Sequence, residues 1–478
     1  MARLLRTESE SQQLLQLVDL LRDSVITVTQ EWDKERNVSK AEADERRTVP
    51  SHSLFDAQRT IEAAAGALIA LVAEPAHRIQ QVMTLAVQAR AMILASEMKI
   101  PDKLAIAGEQ GLHIDELSHQ TGIESRKLAR LMRTLCTIHI FQEPRDGYFT
   151  NNRISQVLAN NEPLQALVQL ASMHSFTSEY LGKYLLGPTG GSYEKDETAF
   201  QIAYGTNKTQ FDWFAEKTTV EELKREAGLG VGYPGFFSRF HEDNLKKPDE
   251  FGMVDRPELS NFGKAMIGSG SVNSHPHTFD YPWGELGEGA TVVDVGGGVG
   301  GFALQLLKVH PRLRFVVQDR PEVISQGRNE IFPQLAPWAL ENNQVSFVEH
   351  DFFKANPTVG ADVYWLRRIF HDWSDEPCLE ILRALKSAMR PNSRILIADC
   401  VLNTTCGSAD IPSAPAPLPA NYGYWCQYNH VLGLIMMAEN NGIERTASQI
   451  KDLVTKAGLR VNKIWPVRSL VGIVEVVL

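Results

Sequence analysis

"VVDVGGGVGGFALQL", residues 292–306, decides how the chain folds. Four apolar or strand-end residues run into a glycine cluster, and an apolar stretch with helical spacing follows at once. Gly296, Gly298 and Gly301 stand in a GxGxxG register, so a tight turn joins a strand to a helix and leaves room for close approach to its backbone. The alternation then repeats. "RFVVQD" (314–319), "VSFVEHD" (345–351), "ADVYWL" (361–366) and "RILIADCVL" (394–402) read as strands, with helices near 321–328 and over 376–389. Helices over 427–439 and 447–457 follow, and "VNKIWPV" and "LVGIVEVVL" close the chain as antiparallel strands. Strands alternating with helices predict an α/β fold: a mostly parallel sheet covered on both faces. "NTTCGSADIPSAPAPLPANYG" (403–423), rich in Pro, Ser and Ala, predicts a surface loop.

Upstream of this repeat the pattern is helical. Residues 9–35 and roughly 53–73 predict two helices broken by "DERRTVPSHS", and "RIQQVMTLAVQARAMILASEM" (78–98) predicts one or two more. Residues 114–158 spell two short helices around a Gly turn, then "IHIFQE", a "PRDG" turn and "YFTNN", which is a helix-turn-helix with a two-stranded wing. Residues 159–280 read as mostly helical, broken at "GPTGG" and "GVGYPG", with the aromatics of "TQFDWFAE" and "YPGFFSRF" as core. The chain therefore divides into a helical extension (1–84), a winged-helix-like region (85–165), a helical middle (166–280) and the α/β domain (281–478).

Composition excludes several classes. The formal charge of -10 argues against extended contact with nucleic acid or anionic membranes, which need basic patches. The winged helix raises DNA binding through Arg126, Lys127, Arg130 and Arg133, yet a wing serves equally well as a dimerisation scaffold. The five cysteines form no CxxC pair and no Cys/His cluster, which speaks against structural zinc and a disulfide framework. No apolar run reaches 18 residues, and the N-terminus turns acidic and polar early, so a cytoplasmic location is expected.

The glycine turn admits two ligands: a dinucleotide, or S-adenosylmethionine, whose amino-acid end needs carbonyl and carboxylate partners. Asp294, two residues before Gly296, favours the second, because it would repel a pyrophosphate but hold an ammonium. Asp319 ends the next strand, where a carboxylate can accept both ribose hydroxyls, and Asp351 with Phe352 follows the third, in reach of adenine; the alternative is that these strand-end carboxylates cap the turns that follow. His371 falls just beyond the fourth strand on the same rim. There a histidine can take a proton from a phenol or alcohol near neutral pH, oriented by one of three acids: Asp372, Asp399 at the end of the fifth strand, or Glu444 in "NNGIERT".

Together, "VVDVGGGVGGFALQL", "RFVVQDRPEVI", "VEHDFF", "WLRRIFHDWSDEPC", "RILIADCVL" and "NGIERTASQIKDLVTKAGL" resemble the class I O-methyltransferases of the plant caffeate and flavonoid type and their fungal relatives acting on polyketides and phenols. The resemblance covers roughly 85–478. It implies a Rossmann-like seven-stranded methyltransferase domain behind a mainly helical, winged-helix-like dimerisation domain, and hence a homodimer. It further implies Gly296 and Gly298 under the methionine part of the cofactor, Asp319 and Arg320 at ribose and adenine, Asp351 and Phe352 at adenine, and Arg367 where plant members carry a lysine near the cofactor. His371 becomes the base, flanked by Asp399 and Glu444 and supported by Asp372. The plant enzymes commonly place glutamate where this chain has Asp399, one methylene shorter. The implied reaction moves the methyl of S-adenosylmethionine to a phenolic hydroxyl of a small aromatic compound without a metal, leaving S-adenosylhomocysteine. Met436 and Met437 are candidates to clamp an aromatic ring, or plain core, and Met132 to reach a partner's pocket. The alternatives are a fungal enzyme of this fold catalysing dehydration or pericyclic rearrangement, a NAD-dependent oxidoreductase, which Asp294 disfavours, and a non-enzymatic module.

Overall fold

The computed structural model describes residues 6–37, 49–228, 248–273 and 275–478. They form two compact units. One comprises the chain up to Ala73, Asn273–Met437 and Asn441–Leu478; the other comprises Glu74–Val272 and Ala438–Asn440.

The first unit is built on a seven-stranded sheet: β1 (Thr291–Val295), β2 (Arg314–Asp319), β3 (Val345–Glu349), β4 (Val363–Arg367), β5 (Arg394–Ala398), β6 (Arg460–Trp465) and β7 (Ile473–Val477). The order is β6-β7-β5-β4-β1-β2-β3. The first five strands run parallel, and β7 inserts antiparallel between β5 and β6. The predicted strands are all present, including the closing antiparallel pair. The near-continuous apolar runs follow from burial on both faces, because side chains alternate every residue. Val292, Trp365 and Leu396 enter one apolar layer with Phe302 and Leu306, while Val293, Tyr364, Leu366, Ile395 and Ile397 enter the other with Leu382 and Leu453. Trp365 stacks on Phe302 with ring centroids 4.4 Å apart, which fastens the helix after the glycine turn to the centre of the sheet.

Strand order places the chemistry. The strand pairs β1–β4 and β4–β5 are neighbours, and so are β1 and β2. Four segments that are far apart in sequence therefore end side by side at the carboxyl edge: the glycine turn, Asp319, the Arg367–His371 turn and Asp399. In an open α/β sheet that edge is where ligands bind.

Helices α1 (Glu8–Arg36) and α2 (His52–Val72) belong to this same unit. α1 begins at a Thr7–Glu10 capping box and packs along α2. Leu17, Ala63 and Ala64 meet Ala414, Leu418 and Tyr422; Phe55 meets Trp425 edge-on, and the Arg59 guanidinium lies 4.2 Å from the Tyr422 ring centre. At Gly66 a side chain would strike Tyr424, its Cβ lying 2.3 Å from that of the tyrosine. The 403–423 segment, expected as a surface excursion, is thus partly covered by the chain's own N-terminal helices. Composition marked it as a loop, but only the fold shows what lies on it.

In the second unit the helix-turn-helix is formed by Ile114–Thr121 and Ser125–Thr137, with strands Phe141–Arg145 and Tyr148–Asn151 as the wing. A short third strand, Leu112–His113, pairs with Tyr148–Asn151, which the two-stranded reading did not contain. Arg133 is bound by Glu143 and Asp146, and Arg126 by Glu124, so two of the four basic side chains face acids of the same chain. The rest of the unit packs helices Glu162–Ser178, Ala199–Tyr204, Gln210–Ala215 and Pro257–Asn273 around Phe200, Trp213 and Phe214. Trp213 and Phe214 of "TQFDWFAE" are core as expected, whereas "YPGFFSRF" lies outside the described residues. Strands Lys217–Thr219 and Met253–Asp255 pair antiparallel in a region read as helical. Their three-residue length leaves too little period-2 signal to detect.

Candidate active site

The glycine turn rises from β1 into helix α3 (Gly301–Val309). Gly296 has φ +68°, and a Cβ there would lie 2.5 Å from Ile369 Cδ1 and 3.7 Å from Phe352. Gly298 has φ +59° with nothing within 4 Å of an added Cβ, so backbone conformation demands glycine while the space beside it stays open. The Gly298 N–H donates to Asp319 Oδ2 at 2.8 Å, and the Arg320 N–H to Asp319 Oδ1 at 2.8 Å. Both oxygens are thereby aimed, and each keeps a lone pair for one of two vicinal hydroxyls. Burial raises the Asp319 carboxyl above its usual range, against the pull of those two N–H groups.

Asp294 lies beneath the turn, its carboxyl 2.6 Å from where a Gly297 Cβ would sit. Its Oδ2 is buried without a hydrogen-bond partner, and burial pushes its pKa up to about 7 against the Arg367 charge. An orphaned buried carboxylate under an open glycine turn, with a two-point carboxylate on the next strand, fits the ammonium and ribose ends of S-adenosylmethionine. Arg367 also lies 5.7 Å from the Phe302 ring centre. Phe352 packs edge-on against Phe353 and Trp373, and Asp351 Oδ1 accepts the Phe353 N–H at 3.1 Å. Arg320 is exposed, 3.6 Å from Glu322.

His371 occupies a single turn, Phe370–Asp372, after β4. The segment 441–446 fastens it. Gly442 runs so close that a Cβ would come within 2.1 Å of the His371 carbonyl oxygen. Arg445 donates to the carbonyls of Phe370 (2.9 Å) and Trp373 (2.8 Å) and to Asp375 Oδ1 (2.9 Å). Between them, Glu444 Oε1 meets His371 Nδ1 at 2.9 Å, with both side chains buried. Asp372 Oδ1 stands 3.5 Å from Nε2 on the other side of the ring. Burial opposes protonation, but Asp372 and Glu444 outweigh it, and His371 stands above the usual imidazole range.

The three acids offered by the sequence therefore separate. Glu444 is the hydrogen-bonded partner and Asp372 a near neighbour. Neither oxygen of Asp399 has a hydrogen-bond partner, and burial pushes its pKa up to about 7, with His371 opposing. The expectation had Asp399 beside Glu444 orienting the ring; here Asp399 makes no hydrogen bond to it, as its side chain is one methylene shorter than a glutamate. Arg445 and Gly442 were missed; their adjacency to Glu444 in "NGIERT" was the available signal.

The methionines divide likewise. Met132 is fully buried among Leu117, Leu128, Phe141 and Phe149, so it is core rather than a group reaching a partner's pocket. Met436 is buried in the apolar layer containing Trp365 and Leu432, and is core as well. Met437 is partly exposed. Among the described residues no group of three or more His, Cys, Asp or Glu is placed to hold a metal ion, and no helix is long and apolar enough to cross a membrane.

The chain is similar to known proteins. Residues 284–460 match the O-methyltransferase domain family, and residues 80–161 match the O-methyltransferase dimerisation domain. The chain is 49% identical to O-methyltransferase cicE of Emericella nidulans, over 100% of this chain and 91% of that protein. It is 46% identical to O-methyltransferase tpcA of Aspergillus fumigatus, over 98% and 97%. Among solved structures it is similar to LepI in complex with SAM, with TM-score 0.63 and 22% identity over 88% of this chain and 93% of that one, a likeness of fold.

Proposed function

Because this chain belongs to the S-adenosylmethionine-dependent O-methyltransferases and is related to those of fungal secondary metabolism, we propose that it methylates a phenolic hydroxyl of a small aromatic compound, with His371 as the general base. One observation supports this above all others. His371 Nδ1 is engaged by Glu444, which fixes the tautomer with the proton on Nδ1 and leaves the Nε2 lone pair to accept a phenolic proton.

S-adenosylmethionine supplies an already electrophilic methyl group, so the protein's work is alignment and removal of one proton. Asp319 and Asp294 hold the two polar ends of the cofactor at the edges of the glycine turn. Glu444 orients the imidazole and stabilises the imidazolium that forms. Asp372, on the Nε2 side, adds to that stabilisation. The pair His371–Glu444 also favours methyl transfer over the dehydratase or pericyclase alternative, whose members often lose parts of this machinery. The match to a dimerisation domain supports a two-fold homodimer.

The test is methyl transfer from labelled cofactor across a panel of phenols, comparing the parent with His371→Ala. Loss of roughly 10²–10⁴-fold in rate with unchanged cofactor affinity is expected. Since His371 stands above the usual imidazole range, the rate should rise with pH and level off only above that range. A His371→Ala enzyme at full rate on the best phenol would refute the assignment.

A further inference from the structure

Arg368 stands at the hinge between β4 and the His371 turn. Its φ of +59° is a left-handed conformation that residues other than glycine rarely adopt, and its backbone N–H is tied to the Ala398 carbonyl on β5. That geometry turns the side chain inward. Its Nη1 donates to Cys400 Sγ at 3.3 Å and stands 3.5 Å from Glu444 Oε1, the same oxygen that His371 Nδ1 engages at 2.9 Å. Tyr428, on the helix Gln427–Asn440, also interacts with the guanidinium.

The charges around the imidazole come from every element packed on it: Asp372 on its own turn, Asp399 at the end of β5, Glu444 on the 441–446 segment, and Arg368 at the end of β4. Three acids and the Arg368 guanidinium act on the ring, while Arg445, on the carbonyls of Phe370 and Trp373, is paired with Asp375. With the acids alone, the imidazole would hold its proton tightly and be a base already spent. Burial opposes the charge on Arg368, but Cys400, Glu444, Tyr428 and Asp399 outweigh it and hold its pKa above the usual arginine range, so the cation is permanent.

Resting on the reading of His371 as the base, we propose that Arg368 is a positioning residue for it: the guanidinium anchors the Glu444 carboxylate beneath Nδ1 and offsets part of the field of the surrounding acids, limiting how tightly the ring holds its proton. The arginine does not touch the substrate. It acts through Glu444 and through its field on the ring.

The test uses the full-length chain with Arg368→Met and Arg368→Gln, the latter keeping a donor without the charge. Rate against pH, cofactor affinity by calorimetry, and the His371 titration by NMR of ¹³C-histidine-labelled protein are measured. His371→Gln assigns the resonance. Both variants should lose roughly 10-fold in kcat at pH 7 with cofactor affinity unchanged, and the acidic limb and the His371 resonance should both move up by about one pH unit. An unmoved or downward limb overturns the proposal; if the methionine variant does not fold, the glutamine variant decides. Failure of the underlying reading looks different: His371→Ala would then keep its rate, whereas a dead His371→Ala beside a parent-like pH profile in both Arg368 variants removes the role of Arg368 alone.

Discussion

Two histidine–glutamate pairs can be set side by side. His371 and Glu444 meet at 2.9 Å in the sheet unit, and His174 and Glu439 at 2.7 Å in the helical unit, their glutamates only five residues apart in the chain. The second pair is closed. Glu439 Oε2 accepts from Gln210 Nε2 at 2.8 Å, and Gln210 Oε1 accepts from Asn440 Nδ2 at 3.0 Å, so both carboxylate oxygens are used in joining helices. The first pair is left open: Glu444 Oε2 and both oxygens of Asp399 lack partners, and the imidazole stands between acids. A satisfied buried carboxylate holds structure together, whereas unsatisfied ones around a titratable ring are held at a cost in stability that function must justify.

The largest expected effect separates the pairs outright. His371→Ala should lose roughly 10²–10⁴-fold in methyl transfer while its thermal unfolding midpoint moves little. Glu439→Gln should do the reverse in kind. It removes the charge from two buried hydrogen bonds and should cost about 1–3 kcal/mol in denaturant unfolding, with cofactor affinity retained. Methyl transfer abolished at unchanged stability would break the distinction and bring the Glu439 network into the chemistry.

The smallest effect sharpens the contrast and runs in the opposite direction. Asp399 has its pKa raised to about 7 in the folded chain, so the folded state holds that proton more tightly than the unfolded one. Its ionisation therefore erodes stability as pH rises from about 4 through about 7, and the penalty is complete above that. Asp399→Asn should stabilise the protein by about 1–2 kcal/mol at pH 8, with the gain fading toward pH 4. A destabilised Asp399→Asn at pH 8 would mean that the carboxylate has a partner the open-site description lacks.

Much of this was legible in the chain. The short, near-continuous apolar runs, the glycine register and the helix spacing predicted every strand of the large sheet, because burial on both faces leaves a run that the order of residues exposes. Asp294, Asp319, His371 and Glu444 were singled out from strand ends and the resemblance, and the fold brings the segments of the first three to one sheet edge, with Glu444 against His371. What escaped was contact that depends on three-dimensional closeness. Nothing in "RRIF" distinguishes Arg367, near Asp294 and Phe302, from Arg368, beside Cys400 and Glu444; a positive φ at one residue turns the two side chains to different neighbours. Met132 was read as reaching a partner's pocket and Met436 as ring clamp or core, because a thioether reads the same in a core as in a pocket.

The sequence by itself determined the sheet, the glycine turn, the residue types available at the rim, and the family. These depend on local periodicity and on motifs, which are properties of neighbouring residues. Only the tertiary structure chose Glu444 over Asp399 as the partner of His371, brought Arg368 to the same carboxylate, and laid the N-terminal helices on the 403–423 loop. Those outcomes depend on the lateral order of strands and on side-chain reach across it, where one methylene, or one left-handed residue, decides which groups meet.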